Sequence, residues 1–237
     1  MLQAALNGAR RRTDYPTIPW SAEDLARSAA GAVVAGAESI HVHVRDERGV
    51  ESLEPADIAR TVRALRAELR VPCGVSTGAW IVPNTEQRHL LVERWTELPD
   101  YASVNFDEPG SELLAGLLLQ RGIGIEAGVA NRTAATRFAR SGLAPRCLRI
   151  LLEPQVQDFD AALDVVRAVE ALLDTAQITI PRLLHGIDRT AWPMIAEAAR
   201  RGYQTRIGFE DTVHLPDDTP APTNAVLVAA ARRVYDA

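Results

Sequence analysis

The chain has 237 residues, 47% of them hydrophobic and 24% charged, with a formal net charge of −5. That length suits one α/β barrel and can bury a substantial core without disulfide or metal staples. The acidic balance gives no reason to expect nucleic acid or an anionic membrane as partner, and all 26 basic residues are arginine, which excludes a lysine Schiff base.

Taken in chain order, strand-like runs are expected at Leu2–Leu6, Ser39–Val44, Gly74–Thr77, Tyr101–Asn105, Gly122–Ala127, Cys147–Leu152, Ile180–Leu184 and Gln204–Ile207. Amphipathic helical patterns alternate with them: Ala22–Ala35, Ala56–Leu69, Glu86–Glu97, Glu112–Gln120, Arg132–Ser141, Phe159–Leu173, Thr190–Arg200 and Thr223–Tyr235. Ser21 followed by Asp24 has the form of a capping box, and Gly36 closes the same helix. This strict alternation predicts a parallel sheet closed into a (β/α)8 TIM barrel, a single domain spanning 1–237. An open doubly wound sheet is the weaker alternative, because no GxGxxG or P-loop follows the first strand. Cys73 and Cys147 stand in no metal-ligand spacing and read as buried residues of a reducing compartment. No run approaches membrane-spanning length, and no long apolar stretch opens the chain, so a cytoplasmic protein is expected.

Barrel active sites lie at the C-terminal ends of the strands. Polar residues gather at those ends here: Asn7, then His41, His43, Arg45 and Asp46, then Ser76 and Thr77. Asn105, Glu126, Glu153 and His185 close the next four runs, and Arg206, Glu210 and Asp211 the last. His41-Val42-His43-Val44 alternates with period two, so both imidazoles face one side of the second strand. Paired imidazoles suit zinc or another divalent transition metal. Strands eight and two flank strand one in a closed barrel, roughly 10 Å apart, a gap that a glutamate beyond strand eight can span. Glu210 is the best-placed third ligand, with His185 as a competitor or a hydrogen-bond donor in the pocket. Three protein ligands leave positions open for substrate, as catalytic sites require. Asp211 is then free as general base, with Arg206 keeping it ionised, holding a substrate carboxylate, or simply closing an ion pair. Ser76-Thr77-Gly78 offers hydroxyls and an open backbone to an oxyanion.

These segments resemble the β-keto acid cleavage enzymes, whose founding activity is 3-keto-5-aminohexanoate cleavage. The matching residues are Asn7-Gly8-Ala9, His41-Val42-His43-Val44-Arg45-Asp46 with Gly49, Val75-Ser76-Thr77-Gly78 and Ala102-Ser103-Val104-Asn105. They continue through Glu126, Arg206-Ile207-Gly208-Phe209-Glu210-Asp211 and Ala221-Pro222-Thr223-Asn224-Ala225. The resemblance implies a zinc-dependent barrel, assembled as a homo-oligomer, that condenses a β-keto acid with acetyl-CoA to give acetoacetate and a new acyl-CoA. By matching motif, His41, His43 and Glu210 would bind zinc, and Asp211 with Arg206 and Glu126 would form the catalytic set. Ser76, Thr77, Gly78, Asn7, Asn105 and His185 would surround the substrate. Two positions depart from the pattern. Arg10 stands where many relatives carry an acid, and Leu152-Glu153-Pro154-Gln155 replaces a glycine-rich loop suited to a phosphate-bearing cofactor. A metal-dependent aldolase or isomerase working without coenzyme A is a second reading, and a degenerate barrel that binds a small acid a third.

Overall fold

The computed structural model describes the whole chain, Met1–Ala237. Short apolar runs form strands β1 (Leu2–Ala5), β2 (Ser39–Val42), β3 (Cys73–Ser76), β4 (Tyr101–Asn105), β5 (Gly124–Val129), β6 (Arg149–Leu152), β7 (Arg182–Leu184) and β8 (Thr205–Ile207). Helices follow in turn: α1 (Ala22–Val34), α2 (Pro55–Glu68), α3 (Thr85–Glu93), α4 (Ser111–Gln120), α5 (Arg132–Ser141), α6 (Phe159–Thr175), α7 (Ala191–Arg201) and α8 (Asn224–Tyr235). The strands pair in parallel in the order β7-β6-β5-β4-β3-β2-β1-β8. Leu184 N–H donates to Gln204 O at 2.9 Å and Gln204 N–H to Arg182 O at 3.0 Å, so β7 meets β8 and closes the ring. The fold is the expected (β/α)8 barrel.

Side-chain oxygens mark where the helices begin. Ser21 accepts from Asp24 N–H at 3.0 Å, Asn84 from Gln87 at 2.8 Å, Asn131 from Ala134 at 3.0 Å and Asp158 from Ala161 at 2.9 Å. Each satisfies a donor that the first helical turn leaves open. In β2 the period-two pattern holds as expected: Ile40, Val42 and Val44 pack among the helices, and His41 and His43 face the barrel axis, all of them buried. No helix is long and apolar enough to cross a membrane. Cys73 and Cys147 are both buried and unpaired.

One boundary matters for the site. β5 starts at Gly124 and runs on through Ala127-Gly128-Val129, so Glu126 is its third residue and not its end. The small residues Ala127 and Gly128 carry a weak strand signal, and Gly122 instead lies in the turn before the strand with φ +77. Glu126 therefore sits down inside the barrel. There Gln3 Nε2 and Arg149 Nε donate to its Oε1 at 2.7 and 2.6 Å, and Gln3 also donates to the Tyr101 hydroxyl at 3.0 Å. These residues form a buried polar floor beneath the mouth.

Candidate metal centre

His41 and His43 reach the mouth from β2 and its extension, and Glu210 arrives from the turn after β8. That turn depends on two glycines. A Cβ on Gly208 would lie 1.9 Å from the Ala5 carbonyl oxygen, and a Cβ on Gly8, which has φ +55, would lie 2.5 Å from Glu210 Cγ. Asn224, the first residue of α8, accepts from Phe209 N–H at 2.8 Å and donates to Leu6 O at 2.9 Å, tying the turn to β1. Glu210 is thus held against the ends of β1 and β2.

One ligand atom from each of His41, His43 and Glu210 lies within 4.8 Å of the others. His43 Nε2 is 3.4 Å from Glu210 Oε1, and His41 Nε2 is 3.8 Å from Oε2. Oε1 accepts from Arg206 Nη2 at 2.9 Å, whereas Oε2 is buried with no partner. A carboxylate that faces two imidazole nitrogens and keeps one buried oxygen without a donor is what a cation would satisfy. Two histidines and a glutamate are also a known donor set for catalytic zinc. The residues fit a divalent transition metal.

The two imidazoles have opposite electrostatics. Burial drives His41 down to about 3, against the pull of Glu210, so it is neutral and able to ligate. Burial acts the same way on His43, but Glu210 and Glu51 outweigh it and raise it to about 9. Glu51 Oε1 lies 2.5 Å from His43 Nδ1, so this carboxylate orients the ring with Nε2 toward the mouth. Glu51 went unrecognised in the sequence, yet a signal existed. Asp46 accepts from the backbone N–H groups of Arg48 and Val50, both at 2.9 Å, and folds the chain back so that Glu51 bridges Arg45. Behind His41, Nδ1 stands 4.0 Å from Glu126 Oε2, and neither atom has another partner.

Asp211 is wholly buried beside Glu210. Arg206 Nε and Nη2 contact its Oδ1 at 3.1 and 3.0 Å, and His185 Nδ1 lies 3.2 Å from the same oxygen. Its Oδ2 is buried and bare. Burial disfavours charge on Arg206, but Asp211, Glu210 and Glu153 outweigh it and push its pKa further up, so it stays cationic. Burial and Arg206 oppose charge on His185, yet Glu153 and Asp211 prevail and raise its pKa. Glu153 Oε2 is 3.1 Å from His185 Nε2, and despite burial Glu153 is held at about 2 by His185 and Arg206. His185 thus stands behind Asp211 and outside the ligand trio.

Other expected substrate-binding residues are spent within the protein. Asn7 donates to His43 O at 2.8 Å and accepts from His43 N–H at 2.9 Å, so it fixes the His43 backbone. Thr77 Oγ1 donates to Ser103 O at 2.6 Å, and Asn105 Nδ2 donates to Glu108 Oε1 at 3.0 Å. A Cβ on Gly78 would lie 2.2 Å from the Trp80 ring, so the indole covers that backbone. Ser76 accepts only a long contact from Gly78 N–H, 3.4 Å, and its own hydroxyl proton stays available. For Asn7, Thr77 and Asn105 the reason is common: these loops need local partners to close, and the nearest polar side chains supply them.

The profile of the family described as beta-keto acid cleavage enzyme matches residues 1–147 and 161–237. The chain belongs to this family. The stretch outside the match, 148–160, holds β6 and the loop with Glu153. A 3-keto-5-aminohexanoate cleavage enzyme of Fusobacterium nucleatum subsp. nucleatum is 26% identical over 99% of this chain and 90% of its own length. A 3-oxoadipate:acetyl-CoA acetyltransferase of Cupriavidus necator is 28% identical over 97% of this chain and 86% of its own. Among solved structures, the ternary complex of ObcA with a C4-CoA adduct and oxalate superposes with a TM-score of 0.69 at 16% identity. It covers 92% of this chain, which spans 63% of the ObcA chain, and the likeness is one of fold.

Proposed function

We propose that this β-keto acid cleavage family member is zinc-dependent and condenses a β-keto acid with acetyl-CoA, giving acetoacetate and a new acyl-CoA. The observation that carries the reading is the convergence of His41, His43 and the unpartnered Glu210 Oε2 at the barrel mouth. The acetyl-CoA acetyltransferase named among the relatives supports the choice of co-substrate. When bound, the ion would act as Lewis acid toward the ketone and carboxylate oxygens of the keto acid.

The protein's own groups supply the rest. Asp211 Oδ2 takes the proton from the carbon between ketone and carboxylate; it suits this because Oδ1 alone is occupied by Arg206 and His185. Arg206 remains cationic and offsets negative charge that builds beside it. Glu51 orients the His43 imidazole from behind, and Glu126 stands 4.0 Å behind His41 Nδ1. Ser76 offers its hydroxyl proton to the substrate carboxylate.

A second reading, an aldolase or isomerase that needs no coenzyme A, draws support from one feature. Glu153 brings a carboxylate to within 3.8 Å of Arg206 in the loop after β6, a poor neighbour for a phosphate. Both readings are tested by screening β-keto acids on zinc-loaded protein with and without acetyl-CoA. Turnover that needs the thioester and disappears in His43→Ala is expected. Turnover without it selects the second reading, and full activity of metal-free protein removes the metal from both.

A further inference from the structure

A cavity of about 590 Å3 opens beside the metal centre, between the loops that follow β1, β2 and β3. Arg10, Arg11, Arg12 and Arg48 line it together with Trp20 and Trp80. Its inner edge is Glu51, the carboxylate that touches His43, and Arg10 Nε lies 3.4 Å from the Glu210 carbonyl oxygen. The cavity adjoins the metal centre through Glu51 and Arg10.

Charges around it do not cancel. Arg10 pairs with Asp188, Arg12 with Asp24 and Arg48 with Asp46. Asp24 must also serve Arg27, Asp46 is shared with two backbone N–H groups, and Glu51 is spent on His43 and on Trp80 Nε1. Arg45, buried at the base, is scaffold: it donates to the carbonyls of Gly8, Arg10 and Gly49. Arg11 is exposed and its guanidinium has no acidic partner. The Arg10–Asp188 pair is itself partly exposed, with side-chain exposures of 26% and 52%, so a ligand anion can displace Asp188 at little cost.

Guanidinium forks match carboxylate and phosphate oxygens bidentately, and indole faces give a carbon chain apolar walls. If the ligand's ketone and near carboxylate sit at the metal centre, its other end leaves through this cavity; the argument rests on the proposed function to that extent. We infer that the cavity receives an anionic group remote from the reacting carbons, so that this chain selects for negative charge at that distance. The group is either the far carboxylate of a β-keto dicarboxylate or a phosphate of the coenzyme thioester.

Trp20 and Trp80 provide a readout that does not depend on turnover. Zinc-loaded protein is titrated with glutarate, adenosine 3′,5′-bisphosphate and butyrate while indole fluorescence is followed. One of the two polyanions should bind at least about tenfold tighter than butyrate, and Arg11→Glu should remove that preference. The Arg11 guanidinium makes no internal bond, so this variant keeps the fold, and Arg10→Gln serves as the second probe. A preference for glutarate makes the keto acid the source of the charge; a preference for the bisphosphate makes it the coenzyme. Equal binding of all three probes, or a preference that survives in both variants, overturns the site. Zinc content is measured on the same samples. A preparation that holds no zinc yet prefers polyanions keeps the cavity and refutes the metal reading, while a zinc-bound protein indifferent to ligand charge does the reverse.

Discussion

Polar side chains end the strands on both sides of the barrel mouth, but their atoms are used differently. At β3 and β4, Thr77 and Asn105 hydrogen-bond to Ser103 and Glu108, so their polarity holds neighbouring loops together. At β8, Glu210 Oε2 and Asp211 Oδ2 are buried without any partner. A buried polar atom left unpaired costs about 1–3 kcal/mol, and two side by side in a cleft call for a ligand, an ion or water. The first arrangement is cohesion of the fold, and the second leaves polar atoms open to a ligand.

The contrast can be broken by experiment, most strongly at Glu210. Glu210→Gln should abolish tight zinc binding and lower turnover by about 1000-fold or more; elemental analysis beside kinetics checks it, and a variant that keeps both would place the site elsewhere. Asp211→Asn should retain zinc yet slow exchange of the keto acid α-protons with deuterium by about 100-fold or more, read by NMR. Glu51→Gln should weaken zinc about 10- to 100-fold by freeing the His43 ring, measured by competition with a chelator. On the other side of the mouth, Thr77→Val should leave zinc affinity unchanged and cost about 1 kcal/mol of stability, the worth of one hydrogen bond, in urea unfolding.

A cluster remote from the mouth sharpens the comparison with the smallest effect. Arg200 first, and then Arg201, outweigh burial and lower the Glu197 carboxyl to about 2. A depressed carboxyl contributes stability that is present above its unfolded pKa of 4.5 and is lost as pH falls through about 2. Glu197→Gln should therefore be less stable at pH 7 by about 1 kcal/mol, a figure discounted for surface screening. The gap to the parent should close between pH 4.5 and 2 without any change in zinc binding.

The convergence of His41, His43 and Glu210 was legible in the chain because it follows from periodicity and closure. Two histidines separated by one residue must share a face, and a closed barrel must bring the end of β8 near β2. Glu51 was overlooked because its approach to His43 runs through a tight turn set by Asp46, a local fold-back that strand periodicity does not register. The apolar run ends at Ala127 and so puts Glu126 near a strand end, yet β5 continues through Gly128 and Val129 and carries Glu126 into the interior.

Alternation of apolar strands with amphipathic helices determined the parallel barrel, and the spacing of His41 and His43 determined which face they share. Only the tertiary structure decided which polar atoms stay free: Asn7 is consumed by the His43 backbone, whereas Asp211 keeps one oxygen bare. The physical reason is that periodicity specifies the direction of a side chain, which is a local property of the backbone. A hydrogen-bond partner is supplied by segments that meet only when the barrel closes, and no repeat along the chain encodes that meeting.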